Sequence, residues 1–222
     1  QQVEDCILRR SEVTYHDEQY WTGWNFGASQ TLDAGYGIAM WNMWRGNILV
    51  RFDLRGVDCR EVSSARFRIY KPRNVTQTSP EVPVAVYAVK ECNAAWREGS
   101  MESMPQHDAA SWLCRSDGKE WAGGPNGCSV AGVDHEAEPL GRAMASKYRG
   151  EWLEFEIPAA LVRQWIDAPE KNAGLLIKTD APEEVMGDHV LFYASEHASG
   201  KGPQLIVEGK RGKAKFAADP SK

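Results

Sequence analysis

The 222-residue sequence has no long hydrophobic run. Its apolar stretches, such as Ile48–Val50 and Leu175–Ile177, are far shorter than the ~20 residues that a membrane-spanning helix needs. We therefore expect no insertion into a membrane.

Positive charge is also in deficit, because 26 Lys and Arg residues face 31 Asp and Glu residues, which gives a net charge of −5. A general nucleic-acid-binding domain normally carries a basic balance or a basic stripe. The one basic run lies beyond the last predicted strand, where such a run is typical of a solvated tail or linker. We expect no nucleic-acid partner, and we assign 210–222 to this basic tail.

The local motifs of common enzyme classes are missing as well. The sequence has no H-E-x-x-H spacing and no G-x-S-x-G elbow, and the glycine-rich stretch Gly123–Gly127 is typical of a turn rather than a phosphate loop. Asp134, His135 and Glu136 offer acid and base groups, but three adjacent side chains seldom converge on one site. A glycosidase needs two carboxylates facing each other across a cleft, and spacing alone selects no such pair. An enzyme is therefore the alternative prediction rather than the first.

The five cysteines show no C-x-x-C spacing, which argues against a zinc ribbon and a thioredoxin motif. Cys114 and Cys128 flank a loop rich in Gly, Asp, Ser and Pro, and we predict a disulfide between them, worth ~3 kcal/mol in the chain-entropy treatment. The odd count leaves at least one thiol unpaired within the chain, and buried free thiols are the alternative for the other cysteines. The start at Gln1 without Met is typical of a trimmed mature chain or of a fragment boundary. We expect a secreted or cell-surface protein, with this domain as one part of a larger multidomain chain.

Short alternating patterns dominate the rest of the sequence. In the stretch from Ile48 to Leu54 every second residue is apolar, which is the pattern of a strand with one buried face. One helix is predicted at Pro158–Ile166, with proline at its opening position and Leu161 and Trp165 on one face. The long irregular stretch Asn93–Lys147 is typical of functional or mobile loops. Further strands are predicted at Ala65–Tyr70, Val82–Val89, Trp152–Ile157, Gly174–Thr179, Val190–Ser195 and Gln204–Glu208.

Many short strands without βαβ alternation predict an all-β fold, a two-sheet antiparallel β-sandwich or jelly roll over residues 1–209 with one short helix. The period-two patterns also select one set of inward-facing residues. The predicted core consists of Val50, Phe52, Phe67, Ile69, Val84, Val86, Phe155, Phe192 and either Leu176 or Ile177.

Several segments occur together in an order that resembles a known family. They are Trp24-Asn25-Phe26-Gly27, Asn47–Leu54, Ser64–Tyr70, Val84–Val89 with Trp96-Arg97-Glu98-Gly99, Ser111-Trp112, Trp121 with Gly123, Trp152–Trp165, Asn172-Ala173-Gly174-Leu175, and Ser195-Glu196 through Pro203-Gln204-Leu205. Together they resemble the DNRLRE domain family, also classed as the family 96 carbohydrate-binding modules. The resemblance spans about Asp5 to Glu208 and implies a β jelly roll that serves as an accessory module of secreted carbohydrate-active or surface proteins. It also implies an acidic polysaccharide such as alginate as the ligand.

The predicted ligand-binding residues are of two kinds. Arg51, Arg66 and Arg68 lie opposite the core phase on two strands expected to be neighbours, together with Tyr70, and guanidinium groups suit uronate carboxylates or sulfates. The alternative is that these arginines pair with Asp53 and with glutamates such as Glu154 and Glu156. Flat aromatic rings stack on sugars, and Trp21 and Trp24 are the candidates from an aromatic-rich loop that could instead be a lid over the end of the sandwich.

A structural Ca²⁺ is the predicted cofactor, because jelly-roll carbohydrate-binding modules often hold calcium through carboxylates and backbone carbonyls. Asp5 and Glu196 lie near the first and last strands, which are commonly neighbours in such folds. We name these two residues as the candidate metal ligands.

The sequence thus favours a non-catalytic polysaccharide-binding module. The two alternatives are a polysaccharide-degrading hydrolase or lyase, and a structural or adhesive surface protein.

Overall fold

The computed structural model describes residues 3–13, 21–39, 42–57, 61–74, 77–180, 187–210 and 212–216. Its main elements are strands and one α-helix, as the sequence predicts. The strands are β1 (Val3–Val13), β2 (Trp24–Asn25), β3 (Thr31–Ala39), β4 (Asn42–Phe52), β5 (Val62–Lys71), β6 (Glu81–Ala88), β7 (Met104–Pro105), β8 (Cys114–Ser116), β9 (Lys119–Glu120), β10 (Gly141–Ser146), β11 (Glu151–Ile157), β12 (Leu175–Thr179), β13 (His189–Tyr193), β14 (Gln204–Gly209) and β15 (Gly212–Phe216). The helix is α1 (Ala159–Asp167), and single 3₁₀ turns form at Glu91–Asn93 and Pro169–Lys171.

The larger sheet has seven strands in the order β10-β6-β12-β4-β3-β13, with β1 beside β4. Strand β4 pairs with β1 along nearly its whole length. Its other edge is shared, because β3 pairs with residues 42–46 and β12 with residues 48–50. One of the sheets is curled into a half-barrel.

The smaller sheet has four antiparallel strands in the order β11-β5-β14-β15. Strand β15 is formed by residues that the sequence assigns to a solvated tail. Gly212–Phe216 pairs with β14, and Phe216 is buried in the core, so this part of the basic segment belongs to the sheet.

The main core lies between the two sheets and confirms the predicted inward-facing set. Phe52 of the larger sheet meets Phe67 of the smaller sheet edge to face, with ring centroids 6.1 Å apart. Phe67 in turn stacks on Phe155 at 6.0 Å. Of the two alternatives at β12, Ile177 belongs to this core. The predicted residues are all present: Val50, Phe52, Phe67, Ile69, Val84, Val86, Phe155, Ile177 and Phe192.

The outer face of the larger sheet is also covered, which differs from the single buried face predicted for β4. Leu49 and Leu176 point away from the main core and are completely buried. They pack under Trp96, Trp112 and Trp121, which come from the irregular stretch that the sequence predicts to be functional or mobile loops. The buried indole N–H groups of Trp96 and Trp121 each donate to a backbone carbonyl. Part of this loop region therefore forms a second core.

Helix α1 forms where it is predicted, beginning at Ala159 directly after Pro158. The Pro158 carbonyl accepts hydrogen bonds from the backbone N–H groups of Leu161 and Val162. Val162 and Trp165 form the buried face, and Leu161 packs partly buried against the same core. Among the described residues, no helix is long and apolar enough to cross a membrane.

The predicted disulfide between Cys114 and Cys128 is not formed, and both residues are free thiols. The Cys114 sulfur lies 3.4 Å from the Ser111 hydroxyl. Cys128 is fully buried in the second core, beside the Asn93 amide. The loop between the cysteines is therefore stabilised by tryptophan packing rather than by a covalent bridge. Cys6 and Cys92 are free as well, and Cys59 lies outside the described residues.

Candidate functional site

Four aromatic rings form a continuous row at one edge of the smaller sheet. Trp152 and Tyr70 meet edge to face at 5.3 Å, and Tyr70 lies 5.4 Å from Tyr193. Tyr193 stacks on His197 at 3.6 Å, with the ring planes 8° from parallel. All four side chains are partly exposed to solvent. We call Trp152, Tyr70, Tyr193 and His197 the aromatic row.

The alternation of the strands places this row on the outer surface. In β5 the core receives Phe67 and Ile69, so Arg68 and Tyr70 point outward. The antiparallel register sets Trp152 of β11 directly opposite Tyr70. Tyr193 comes from the end of β13 in the other sheet, so the row crosses from one sheet to the next.

Two cations lie against the row. The Arg68 guanidinium carbon is 4.4 Å from the ring centre of Trp152, and the Lys201 Nζ is 4.3 Å from that of Tyr70. Arg68 also donates to the Gln204 side chain at 2.8 Å and forms an ion pair with Glu154 at 3.7 Å. Lys201 is exposed, and within the described part of the chain it forms no ion pair with a carboxylate. The row is therefore flanked by positive charge.

The three predicted arginines do not form one cluster, which corrects the expectation that their strands are neighbours. Arg51 lies on β4 and Arg66 and Arg68 on β5, and these strands belong to different sheets. Arg51 pairs with Glu4 at 2.5 Å, donates to two backbone carbonyls and covers the ring of Trp96.

Arg66 donates to Glu154 at 2.9 Å and lies 3.4 Å from Glu156. The alternative of pairing within the protein thus applies to Arg51 and Arg66, and also to Arg68 through its ion pair with Glu154. Of the predicted ligand-binding residues, the structure brings Arg68 and Tyr70 together. Tyr70 belongs to the aromatic row, and Arg68 lies against its neighbour Trp152.

The aromatic loop does not form a separate platform from the two predicted tryptophans. Trp21 and Trp24 are partly buried and pack against the main core. The Arg9 guanidinium lies 5.5 Å from the Trp21 ring and 4.7 Å from that of Phe26, and it pairs with buried Asp33. This arrangement fits the alternative, a lid over the end of the sandwich. Tyr20 and Trp41 lie outside the described residues.

A second candidate site is a cluster of three carboxylates from distant parts of the chain. Asp5 lies in β1, Glu98 follows the buried Trp96, and Glu196 follows β13. One oxygen from each side chain lies within 4.8 Å of the others. We call Asp5, Glu98 and Glu196 the acidic triad. The two predicted metal ligands are thus brought together, and Glu98 joins them.

Hydrogen bonds fix the orientation of the triad. The Asp5 N–H donates to Glu98 at 2.6 Å, and the Ser195 N–H donates to Asp5 Oδ2 at 2.9 Å. The Ser195 hydroxyl lies 2.8 Å and 2.9 Å from the two Glu196 oxygens. Asp5 is only 1% exposed, and its Oδ1 has no hydrogen-bond partner.

The charges in the triad repel one another in a poorly solvated place. Burial, followed by repulsion from Glu196, raises the pKa of Asp5 to about 8. Burial is also the main cause that raises the pKa of Glu98 to about 9, with further contributions from Asp5 and Glu196. Three carboxylate oxygens at this spacing are the ligand type that hard divalent cations such as Ca²⁺ prefer.

The loop that carries Glu98 is held by the Asn25-Phe26-Gly27 segment. The buried Asn25 amide donates to the carbonyls of Glu98 and Ala110, and its oxygen accepts from the backbone of Gly27. A Cβ at Gly27 would overlap the Glu98 carbonyl oxygen. The asparagine-aromatic-glycine motif therefore holds the backbone of Glu98, one member of the triad, in place.

Sequence reasoning missed four members of the two sites, Trp152, Tyr193, His197 and Glu98, and it also missed Lys201 beside the aromatic row. Trp152 stands in a predicted strand without indicating a ligand, and Tyr193, His197 and Lys201 carry no motif that connects them to β5. Glu98 had a signal, because it stands in the Trp96-Arg97-Glu98-Gly99 segment. That segment marked the fold resemblance without indicating a ligand.

The adjacent acid and base groups at Asp134 and His135 are structural. Asp134 is fully buried and accepts from the backbone N–H groups of Gly123 and Val130. His135 is buried against Tyr87, with its Nδ1 2.6 Å from the Glu136 carbonyl. These contacts explain why the two side chains do not face a common cavity as an acid and a base.

Comparison with known proteins adds no family: no protein-family model matches this chain, and no curated protein does either. The resemblance to the DNRLRE family therefore stays a prediction. The function has to be argued from the aromatic row and the acidic triad.

Proposed function

We propose that this protein is a non-catalytic polysaccharide-binding module that holds an acidic glycan along the aromatic row. The observation that carries the proposal is the row itself, four partly exposed rings flanked by Arg68 and Lys201. As the resemblance implies, the module would serve a secreted or cell-surface protein.

Aromatic side chains suit sugars because a ring presents a flat apolar face and its polar edge stays in water. Trp152, Tyr70 and Tyr193 follow one another at centre-to-centre distances of 5.3 Å and 5.4 Å. A linear chain of sugar rings can therefore contact more than one aromatic ring at a time. The proposal uses a surface that is already formed, so little ordering cost opposes binding.

The preference for an acidic glycan follows from local charge. The whole chain carries a net charge of −5, yet Arg68 and Lys201 bring positive charge to the row. Within the described part of the chain Lys201 forms no ion pair with a carboxylate, so its charge is available to a uronate or a sulfate. A local field of one sign on a surface of the opposite net sign attracts ligands with that complementary charge.

A binding role fits the carboxylates near the row better than catalysis does. Hydrolysis of a glycoside requires two carboxyl groups placed on either side of the scissile bond. Glu154, opposite Arg68 in the strand register, is held by Arg66 at 2.9 Å. Its carboxylate is therefore engaged by a guanidinium of the same sheet.

The proposal is tested by titrating alginate oligosaccharides into the wild type and into Trp152→Ala. We expect the variant to bind at least about fivefold more weakly, because removing an aromatic anchor from a binding surface costs more than about 1 kcal/mol. The matched control is Leu113→Ala, which removes an exposed apolar side chain beside the second core. Equal affinity in Trp152→Ala and wild type would overturn the row as the site. Release of reducing ends or unsaturated products would replace the module by an enzyme.

A further inference from the structure

We propose that the turn between β10 and β11 extends the binding surface beyond the Trp152–Tyr70 end of the aromatic row, so that the protein takes stretches of acidic polysaccharide longer than the row itself. The inference rests on the proposed function. The residues that form this extension are Arg73, Lys147, Tyr148 and Arg149, which we call the basic turn.

The smaller sheet places the basic turn directly beside the row. Trp152 and Tyr70 are paired across β11 and β5. Gly150 lies two residues before Trp152, and a Cβ built on it would be 2.6 Å from the Tyr70 hydroxyl and 3.7 Å from the backbone nitrogen of Arg73. Tyr148 is only two residues further along the chain. The basic turn therefore begins where the row ends.

A buried ammonium group holds the backbone of this turn. Lys71 ends β5 and is completely buried. Its Nζ donates to the carbonyls of Ser146 and Arg149, the latter at 3.1 Å. The Asn74 N–H donates to the carbonyl of Lys147 at 3.2 Å. Because the turn is tied to the segment after β5 at these points, its shape is formed in advance and little ordering cost opposes binding.

The turn brings further positive charge to the same part of the surface. Arg73 and Arg149 are exposed, and Lys147 is half-buried. Arg149 lies 3.6 Å from Glu151. Arg73 and Lys147 form no ion pair within the described part of the chain, so both charges are available to an anion. With Lys201 on the ring of Tyr70, the positive charge continues from the row to the turn.

The exposed ring of Tyr148 indicates which anion this surface takes. At 62% exposure it is the most exposed of the large apolar side chains in the described part of the chain. An aromatic face next to cations is the arrangement that Arg68 and Lys201 already make with Trp152 and Tyr70. Rings stack on sugars while guanidinium and ammonium groups bind carboxylates or sulfates. The same combination at the turn therefore fits a further part of the same acidic glycan.

The extension predicts that affinity depends on the length of the glycan. Alginate oligosaccharides of increasing length are titrated into the full-length wild type and into Tyr148→Ala. We expect the wild type to bind more tightly as the chain becomes longer. Tyr148→Ala should bind the longest chains at least about fivefold more weakly, as for the loss of an aromatic anchor, and the shortest bound chain as tightly as the wild type does.

The control for this variant is Met104→Ala, which removes another exposed apolar side chain, in β7, and should bind every length like the wild type. Since Tyr148 is exposed, the melting temperature of Tyr148→Ala should equal that of the wild type. Equal affinity of Tyr148→Ala and wild type at every length would overturn the extension and leave the aromatic row as the site. An equal loss for the shortest and the longest chains would overturn it too.

The role of charge is tested with Lys147→Gln and the matched control Lys119→Gln. Lys147→Gln should bind long chains about twofold to fivefold more weakly at low salt, as expected for one exposed ion pair, and Lys119→Gln should bind like the wild type. Unchanged affinity in Lys147→Gln would overturn the charge contact. Polyphosphate bound more tightly than alginate, and lost in Lys147→Gln, would replace the glycan at the turn by a phosphate polymer. No binding of alginate by the wild type at any length would refute the proposed function, on which the extension rests.

Discussion

Tyr193 and His197 stack almost in parallel, with ring centroids 3.6 Å apart. Tyr193 ends a strand of the larger sheet, and His197 belongs to the turn that follows Glu196. This contact joins the two candidate sites, because one side of the turn faces the acidic triad and the other completes the aromatic row. The two candidate sites are therefore separated by only a few residues of the same turn.

The charge of Lys201 predicts that glycan binding depends on salt. Lys201→Gln keeps the length of the side chain and removes its charge, and we expect about a tenfold to hundredfold loss of affinity for alginate oligosaccharides. The wild type should bind more weakly as salt is raised from 0.05 to about 0.5 M, because surface charges are screened over a shorter distance. The measurement is a calorimetric titration at several salt concentrations.

The matched control is Lys119→Gln, an exposed lysine in the β8–β9 hairpin. Its affinity and its salt dependence should equal those of the wild type. Binding of a neutral glycan with no salt dependence would contradict the role assigned to charge.

The close approach of Gly27 to the Glu98 carbonyl predicts a loss of stability in Gly27→Ala. The added Cβ would overlap that oxygen, so the loop must shift, and we expect the free energy of unfolding to fall by about 1–3 kcal/mol. Urea unfolding measures this effect. At Gly23 a Cβ meets its nearest atom at 3.7 Å, so Gly23→Ala should leave the free energy of unfolding unchanged.

The buried His135 makes a contribution to stability that we expect to be lost in mild acid, in opposition to Asp5 and Glu98, whose raised pKa values favour the folded state as the pH falls. Burial lowers the pKa of His135 from its usual 6.5, so below pH 6.5 the unfolded chain takes up a proton that the folded protein refuses. This contribution to stability is complete above pH 6.5 and is lost as the pH falls toward the folded pKa. Its size is at most about 1.4 kcal/mol for each pH unit.

Urea unfolding at pH 7.5 and pH 5 provides the measurement for this prediction. His135→Gln cannot take up the proton, so the change in its free energy of unfolding from pH 7.5 to pH 5 should be more favourable to the folded state than the change in the wild type. His107→Gln, at an exposed histidine, should follow the wild type. An identical pH response in His135→Gln and wild type would contradict the assignment.

The free cysteines predict graded reactivity with an alkylating reagent in the absence of reductant. Cys92 is exposed and should react first. Cys6 and Cys128 are fully buried, and burial raises the pKa of both thiols, so they should react only on unfolding. Peptide mapping by mass spectrometry gives the order. Recovery of a linked peptide containing Cys114 and Cys128 would restore the disulfide and refute the free-thiol state.

The alternation along the strands could be predicted from the sequence, because the local period of two decides which face of the sheet each side chain points to. Val50 and Phe52 of β4 and Phe67 of β5 face the core as the period of two requires. The same rule set Arg68 and Tyr70 outward. It did not predict Leu49, which is outward in phase yet fully buried, because the cover over it comes from residues far along the chain.

Which strands pair with each other could not be predicted from the sequence in the same way. Arg51 and Arg68 lie on strands that follow each other in sequence and yet belong to different sheets. Sheet membership depends on contacts between remote segments, which a local pattern does not encode. The same holds for Lys71, an outlier on the core side of β5 whose buried ammonium is satisfied by the carbonyls of Ser146, Pro72 and Arg149.

The sequence by itself determined the all-β class, most strand positions, the helix and the composition of the main core, since these follow from side-chain period and from proline and glycine placement. The tertiary structure decided which side chains meet. It placed Glu98 beside Asp5 and Glu196, and Tyr193 beside Tyr70, although these residues are separated by tens to more than a hundred positions. The physical reason is that such contacts depend on how the two sheets pack and how the loops cross their edges. The free energy of that packing is shared among many residues, so no single local sequence pattern predicts the contacts.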